Sequence, residues 1–360
     1  MDKESKLPSY VKISIFFIGL YALITMLYIS QGIVVPLIFS TIIAIVLLPI
    51  VDFFVRLKIN RVFAIFITLF LSFLVVGGLV AILFSQAVKF YQFWPILLEK
   101  FSNLIAQTIT WTASSFDINP ESIQTWIEKT KGDFINTNTN AIGRVLTTLG
   151  NAILVVLLIP VYIFMILFYH PLLLEFIHRI FGKKNQMQVN EIVSQTKTVV
   201  QHYLVGLTIE VIIVAILNSA ALLILGIDYA ILLGIIGGIL NIIPYIGGIV
   251  GVVLPMMVAL ITKSTAWYAL SVMAIYYFIQ LIDNNYIVPK IVASRVKINA
   301  LFSIIVVIAG NALWGVSGMF LSIPLLAIIK LIFDNIESLK PWGMLLGDSM
   351  PKILNEKNKK

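Results

Sequence analysis

Gln280, Asp283, Asn284 and Asn285 stand together at the end of an apolar run. One carboxylate among three amides suits a cation, a proton or a polyol: these oxygens can replace water around a cation, and the amides can both donate and accept. Gln280 and Asp283 are three apart and Asn284 is four from Gln280, so a continuing helix puts them on one face. Pro289 then ends or kinks that helix. The competing reading is a polar helix end at a water interface, with Asp283 paired to a lysine. A second carboxylate, Glu210, lies six to seven residues inside another apolar run, about 10 Å along a helix. Inside a bilayer such a charge costs roughly 2.5–3.5 kcal/mol. Glu210 therefore either relays a proton or cation or snorkels to the interface, and the sequence leaves both open. Asn241 and Asn311 each precede a glycine-rich break in a long apolar segment, where an amide can meet a substrate or bond a neighbouring helix. Pro244, Gly247, Gly248 and Pro255 shape the first break. Gly310, Trp314, Gly315, Gly318 and Pro324 shape the second, and with Pro289 these are the candidate gating positions. Open carbonyls at the breaks can also coordinate an ion. His170, His178 and His202 are too scattered for a metal set, so no metal and no cofactor is expected beyond a coupling H⁺ or Na⁺.

The elements that hold these groups must be membrane helices. The chain has 360 residues, 60% apolar and only 12% charged, with a net charge of +8. A soluble chain would carry roughly 25% charged residues. The absence of cysteine excludes a disulfide scaffold, a zinc–thiolate site and a cysteine nucleophile. A span needs about 20 apolar residues, and six candidates meet or approach that length: 11–29, 33–55, 62–88, 152–169, 203–225 and 266–282. Residues 230–261 and 301–333 are different. Each is broken near its middle by glycines, and each half, about 15 residues or roughly 22 Å, is short for a crossing. Two re-entrant or interrupted hairpins fit better, since broken backbone at membrane depth must be buried in protein or line a cavity. The expected fold class is thus an all-α integral membrane protein, with about six full spans, two such hairpins and a small helical exoplasmic insert.

Threading the spans with the N terminus inside leaves six basic residues outside: Lys89, Lys100, Lys129, Lys131, Arg144 and Lys263. The other 19 of the 25 lysines and arginines are inside, which is the favoured bias. Topology thus accounts for the excess charge, and no nucleic-acid partner is implied. The expected organisation is a three-span scaffold (1–88), a soluble exoplasmic insert (89–150) with a helix start at Asn119-Pro120, and a fourth span with an amphipathic cytoplasmic connector (151–202). A transport core (203–335) and a basic cytoplasmic tail (336–360) follow. In this threading the two hairpins enter from opposite sides, as in an inverted repeat, and paired interrupted segments point to a transporter's binding site.

Three stretches in order, IIPYIGGIVGVVLP, QLIDNNYIVPKIV and GNALWGVSGMFLSIPL, resemble the AI-2E family of bacterial transporters over nearly the whole chain. Ala293 and Asn299-Ala300 depart from the family pattern. The threading puts both termini in the cytoplasm, and the resemblance implies a secondary transporter in the bacterial cytoplasmic (inner) membrane. It also implies a homo-oligomer, a pentamer, in contact with membrane lipids. The implied activity is export of a small polar solute such as autoinducer-2, or exchange of Na⁺ or Li⁺ for H⁺. An oligomeric channel is the alternative. Gly315-Val316-Ser317-Gly318 also matches the G-x-S-G pattern of intramembrane serine proteases, but no histidine follows His202 to serve as the base, so an enzyme is not expected.

Overall fold

The structure, a computed structural model, describes residues 8–116, 157–182, 185–243, 247–263, 265–292 and 298–348. Among them regular structure is helical throughout: α1 Ser9–Ile29, α2 Gln31–Arg56, α3 Arg61–Phe116, α4 Leu157–Phe181 and α5 Gln186–Ile224. The shorter α6 Ala230–Leu240, α7 Gly247–Thr262 and α8 Trp267–Ile282 follow, then α9 Ala300–Asn335 and α10 Lys340–Leu346. Six of the described helices (α1 to α5 and α9) are long and apolar enough to cross a membrane, and the chain is an all-α integral membrane protein. Helices suit lipid because they satisfy their own backbone groups. Side-chain hydroxyls do likewise: Thr68 donates to Ala64 O and Ser271 to Trp267 O, each one turn back. Phe16, Phe17, Phe70 and Phe73 on α1 and α3 are 62% to 70% exposed, a surface made for lipid rather than water.

Several elements differ from the expected boundaries. The third apolar span ends at Gln86, close to the expected residue 88, but its helix, α3, runs on to Phe116 for 56 residues, about 84 Å. Pro95 lies within it without ending it.

 The charged and amide positions at the start of that stretch, Lys89, Gln92, Glu99 and Lys100, are good helix formers, so the polarity that ends the membrane span does not end the helix. The remainder of the expected insert, with its Asn119-Pro120 start, lies outside the described residues. Within 151–202, where a fourth span and a connector were expected, α4 extends to Phe181 and α5 begins at Gln186. The 16-residue α8 continues directly into a π-helical stretch, Asp283–Val292, which holds Pro289 inside it rather than at its end.

Both interrupted segments fold back on themselves. α6 and α7 form the first hairpin. α9 forms the second, its helical geometry broken at Trp314 and at Gly315 (φ +60°, ψ −142°), a backbone conformation that glycine alone adopts readily. Ser322 Oγ donates to Val306 O at 2.8 Å across 16 residues, which a straight helix would separate by about 24 Å. The arms meet at Gly310 and Gly318, where a Cβ on either would overlap the other's carbonyl group.

The chain divides into two compact units. One comprises Met1–Asp52, Leu158–Gln201 and Val296–Lys360. Within it Ser40 Oγ donates to Ile159 O, Gln201 Nε2 donates to Ile45 O, and Phe39 stacks on Phe320. Asn299 caps α9 by accepting from Leu301 N, the role for which asparagine is favoured. The other unit comprises Phe53–Leu157 and His202–Arg295. Its core gathers Leu222 of α5, Leu233 of α6, Val258 and Ala259 of α7, and Val272 and Tyr276 of α8, with Phe90 of α3 packed against it.

Candidate functional site

The candidate site lies in the second of these units, where glycines let three helices approach closely. On α6, Gly234 faces Ser219 and Gly238 faces Ala215 of α5, with an added Cβ at Gly238 only 2.8 Å from that of Ala215. This four-residue spacing of small residues is a close-packing device of membrane helices. On α5, Gly206 admits the π-helical stretch, since a Cβ there would stand 2.5 Å from Ile291 O. Together these contacts bring Asn241, at the end of α6, to Glu210 on α5 and to Asp283 at the start of the π-helix.

Asn241 Nδ2 donates to both carboxylates, to Glu210 Oε1 at 3.0 Å and to Asp283 Oδ2 at 2.8 Å. Gln280 Nε2 adds long contacts of 3.4 Å to Asp283 Oδ2 and 3.5 Å to Asn284 Oδ1. Glu210 is 4% exposed and Asp283 is 1% exposed. Asp283 Oδ1 is buried with no hydrogen-bond partner among the described residues. Against the opposite side, a Cβ on Gly248 would lie 2.5 Å from Gln280 Oε1, so the first turn of α7 closes over that amide. A π-helical turn often marks a functional site, and here it begins at Asp283.

This geometry decides between the readings left open by sequence. Glu210 does not snorkel: it is buried and bonded to Asn241. Among the described residues Asp283 has no lysine partner; its side-chain partners are Asn241 and Gln280. One neutral amide thus holds two carboxylates out of water. If both are ionised, their charge must be balanced, because unpaired buried charge is costly. A monovalent cation or a proton offsets one of the two charges.

Glu210, Asn241, Gln280, Asp283 and Asn284 therefore come together. Asn285 stays apart, donating to Leu281 O at 2.8 Å from an exposed position. Asn311 belongs to the other unit and is exposed. In that unit Trp314 Nε1 donates to Leu27 O at 3.1 Å, and Pro324 is buried. Gly247 sits where a Cβ would overlap the Leu240 carbonyl, Pro255 is buried in α7, and Pro244 lies outside the described residues. Sequence reasoning passed over Asn218 and Tyr276, two buried polar residues on α5 and α8. Their signal was spacing, with Asn218 eight residues after Glu210 and Tyr276 seven before Asp283.

Residues 15–338 match the family described as AI-2E family transporter. Among curated proteins, the chain is 24% identical over 309 residues to the putative transport protein YrrI of Bacillus subtilis, covering 84% of this chain and 86% of that one. It is 26% identical over 325 residues to the AI-2 transport protein TqsA of Escherichia coli, covering 89% and 90%. With the putative transport protein YhhT of Escherichia coli it shares 23% identity over 343 residues, 93% of each chain.

Proposed function

The chain belongs to the AI-2E family of transporters, and on that footing we propose that it is a secondary carrier coupled to H⁺ or Na⁺ through Glu210, Asn241 and Asp283. The observation that supports this reading is the single amide shared by two buried carboxylates. A cation or proton between the carboxylates offsets one of their two charges. Its departure leaves them uncompensated and favours a different arrangement of the hairpin that carries Asn241. Binding energy that differs between two arrangements is what couples an ion to a conformational change. The cargo suggested by the relation to TqsA is a small polar solute such as autoinducer-2, moved outward; where the cation is itself the cargo, the activity is exchange of Na⁺ or Li⁺ for H⁺. The lysine and arginine bias supports cytoplasmic termini in a bacterial inner membrane, and the family resemblance supports a homo-oligomer.

The test is flux in proteoliposomes with pH and sodium gradients imposed separately, using autoinducer-2 and ²²Na⁺ as solutes. Saturable flux that follows one of the gradients is expected, and Asp283→Asn removes that dependence. Unitary currents in a planar bilayer would replace the carrier by a pore. Unchanged gradient dependence in Asp283→Asn would make the carboxylate structural.

A further inference from the structure

The short helix α10, Lys340–Leu346, joins the two ends of the second hairpin. At the start of α9, Asn299 N donates to Leu346 O at 2.9 Å, and Ile298 pairs with Gly347 in an isolated antiparallel bridge. At the end of α9, a Cβ on Gly343 would overlap the Asp334 carboxylate. Both ends of α9 therefore open on one side of the membrane, and α10 is fixed at that edge. Gly343 and Leu346, buried and three residues apart, form the face that packs inward.

The outer face of α10 is apolar. Trp342, Met344 and Leu345 are 58%, 61% and 49% exposed. A helix held at the end of a span can bury such a face in the boundary between headgroups and acyl chains, where tryptophan is enriched. Lipid is already the neighbour of this end of the chain. Leu301, two residues after Asn299, is exposed on a helix long and apolar enough to cross a membrane. The charge fits an anionic surface. Residues 336–360 carry Lys340, Lys352, Lys357, Lys359 and Lys360 against Glu337, Asp348 and Glu356, and basic segments beside a span attract anionic lipid. Lys340 is bonded to Glu337 with its side chain 57% exposed, so its stem can lie along apolar surface while the ammonium stays in water.

We infer that α10 docks on an anionic bilayer surface, with Trp342, Met344 and Leu345 among the upper acyl chains and the lysines at the headgroups. Because α10 is bonded to one end of α9 and packed on the other, this docking fixes the base of the second hairpin against the membrane. The inference holds for a carrier and for a channel alike.

The chain has no cysteine, so Leu345→Cys gives the full-length protein a single attachment point for an NBD fluorophore, and Met344→Cys gives a second. Both positions are exposed, so folded protein is expected from each. Labelled protein is placed in nanodiscs of phosphatidylcholine or of an equal mixture with phosphatidylglycerol. Quenching is read with lipids spin-labelled near the headgroup and with aqueous acrylamide. In the mixed discs lipid should quench strongly and acrylamide weakly, and the neutral discs should move the balance toward acrylamide. Replacing Lys357, Lys359 and Lys360 by glutamine should remove most of that difference, about fivefold in the ratio of docked to free helix for each lysine at the surface. Free quenching by acrylamide in the mixed discs would put the face in water and overturn the inference. Protection from both quenchers would assign the face to a second copy of the chain and also overturn it. Equal lipid quenching in the two kinds of disc would leave the lysines no part and overturn the anionic surface as the occupant.

Discussion

The two hairpins are built alike and equipped differently. Each is a reversal of two short helical arms, with glycines where the arms meet: Gly237 touches Gly251 in the first, and Gly310 meets Gly318 in the second. Each carries an asparagine shortly before its tip. In the first, Asn241 is bonded to two buried carboxylates. In the second, Asn311 is exposed. The polar groups of the second serve the backbone instead, with Ser322 bonded to Val306 O and Gly318 O, and Trp314 to Leu27 O. A common hairpin architecture therefore does not imply common chemistry; that depends on what the neighbouring helices present to the tip.

The largest expected effect falls on the shared architecture. In Gly318→Val the added side chain meets the Gly310 carbonyl group, which is backbone and cannot rotate away. Overpacking of this kind costs about 3 kcal/mol, a large part of ordinary stability. Gly318→Val should therefore lose most of its folded yield in detergent, as followed by size-exclusion chromatography. A well-folded variant would show that the arms need not touch.

The comparison is broken most directly by exchanging each asparagine for leucine. Asn241→Leu removes two bonds to carboxylates, each worth about 1.5–3 kcal/mol. It should lower stability by about 3 kcal/mol and abolish gradient-coupled flux. Asn311→Leu at an exposed position should stay within about 0.5 kcal/mol. Thermal unfolding in detergent and proteoliposome flux read the two outcomes. Equal effects would mean that the hairpins share their chemistry after all.

How much of this was legible in the sequence follows from the range of the interactions. The breaks at 241–248 and 311–318 were visible, because glycine clusters inside apolar runs are local features. Gln280, Asp283 and Asn284 were grouped by helical spacing alone. The pairing of Glu210 with Asn241 and Asp283 was not legible, because it depends on three helices meeting at Gly206, Gly234 and Gly238, contacts between residues far apart in sequence. Without them Glu210 could equally have snorkelled. The reach of α3 beyond its apolar span was not legible because hydropathy marks where lipid stops, whereas a helix stops only where propensity and capping end it. Asn218 and Tyr276 were missed because their spacing from Glu210 and Asp283 carries meaning only once those two carboxylates are placed together, and a lone asparagine or tyrosine in an apolar run otherwise reads as core.

A smaller effect sharpens the first hairpin. In Gly248→Ala the new Cβ lies against Gln280 Oε1, the far end of a flexible side chain, so the amide swings away and the fold survives. Gln280 then loses its long contact with Asp283. The expected result is a severalfold weaker ²²Na⁺ affinity at nearly unchanged melting temperature. An unchanged affinity would remove Gln280 from the site and leave Asn241 as its amide.

The smallest effect tests whether the second hairpin is mechanical. Leu27 lies in the last turn of α1, where the final carbonyls of a helix lack intrahelical partners. Trp314 Nε1–H supplies a partner from the hairpin tip at 3.1 Å, so the indole caps α1 from a distance in sequence. Trp314→Phe keeps an aromatic ring and removes only the donor. One hydrogen bond of this kind contributes about 1 kcal/mol, and thermal unfolding should shift by that amount. Na⁺ affinity and gradient dependence should both hold, because no group that bonds Glu210 or Asp283 comes from this hairpin. A changed Na⁺ affinity in Trp314→Phe would show that the second tip takes part in ion binding, and the division between a chemical and a mechanical hairpin would then fail.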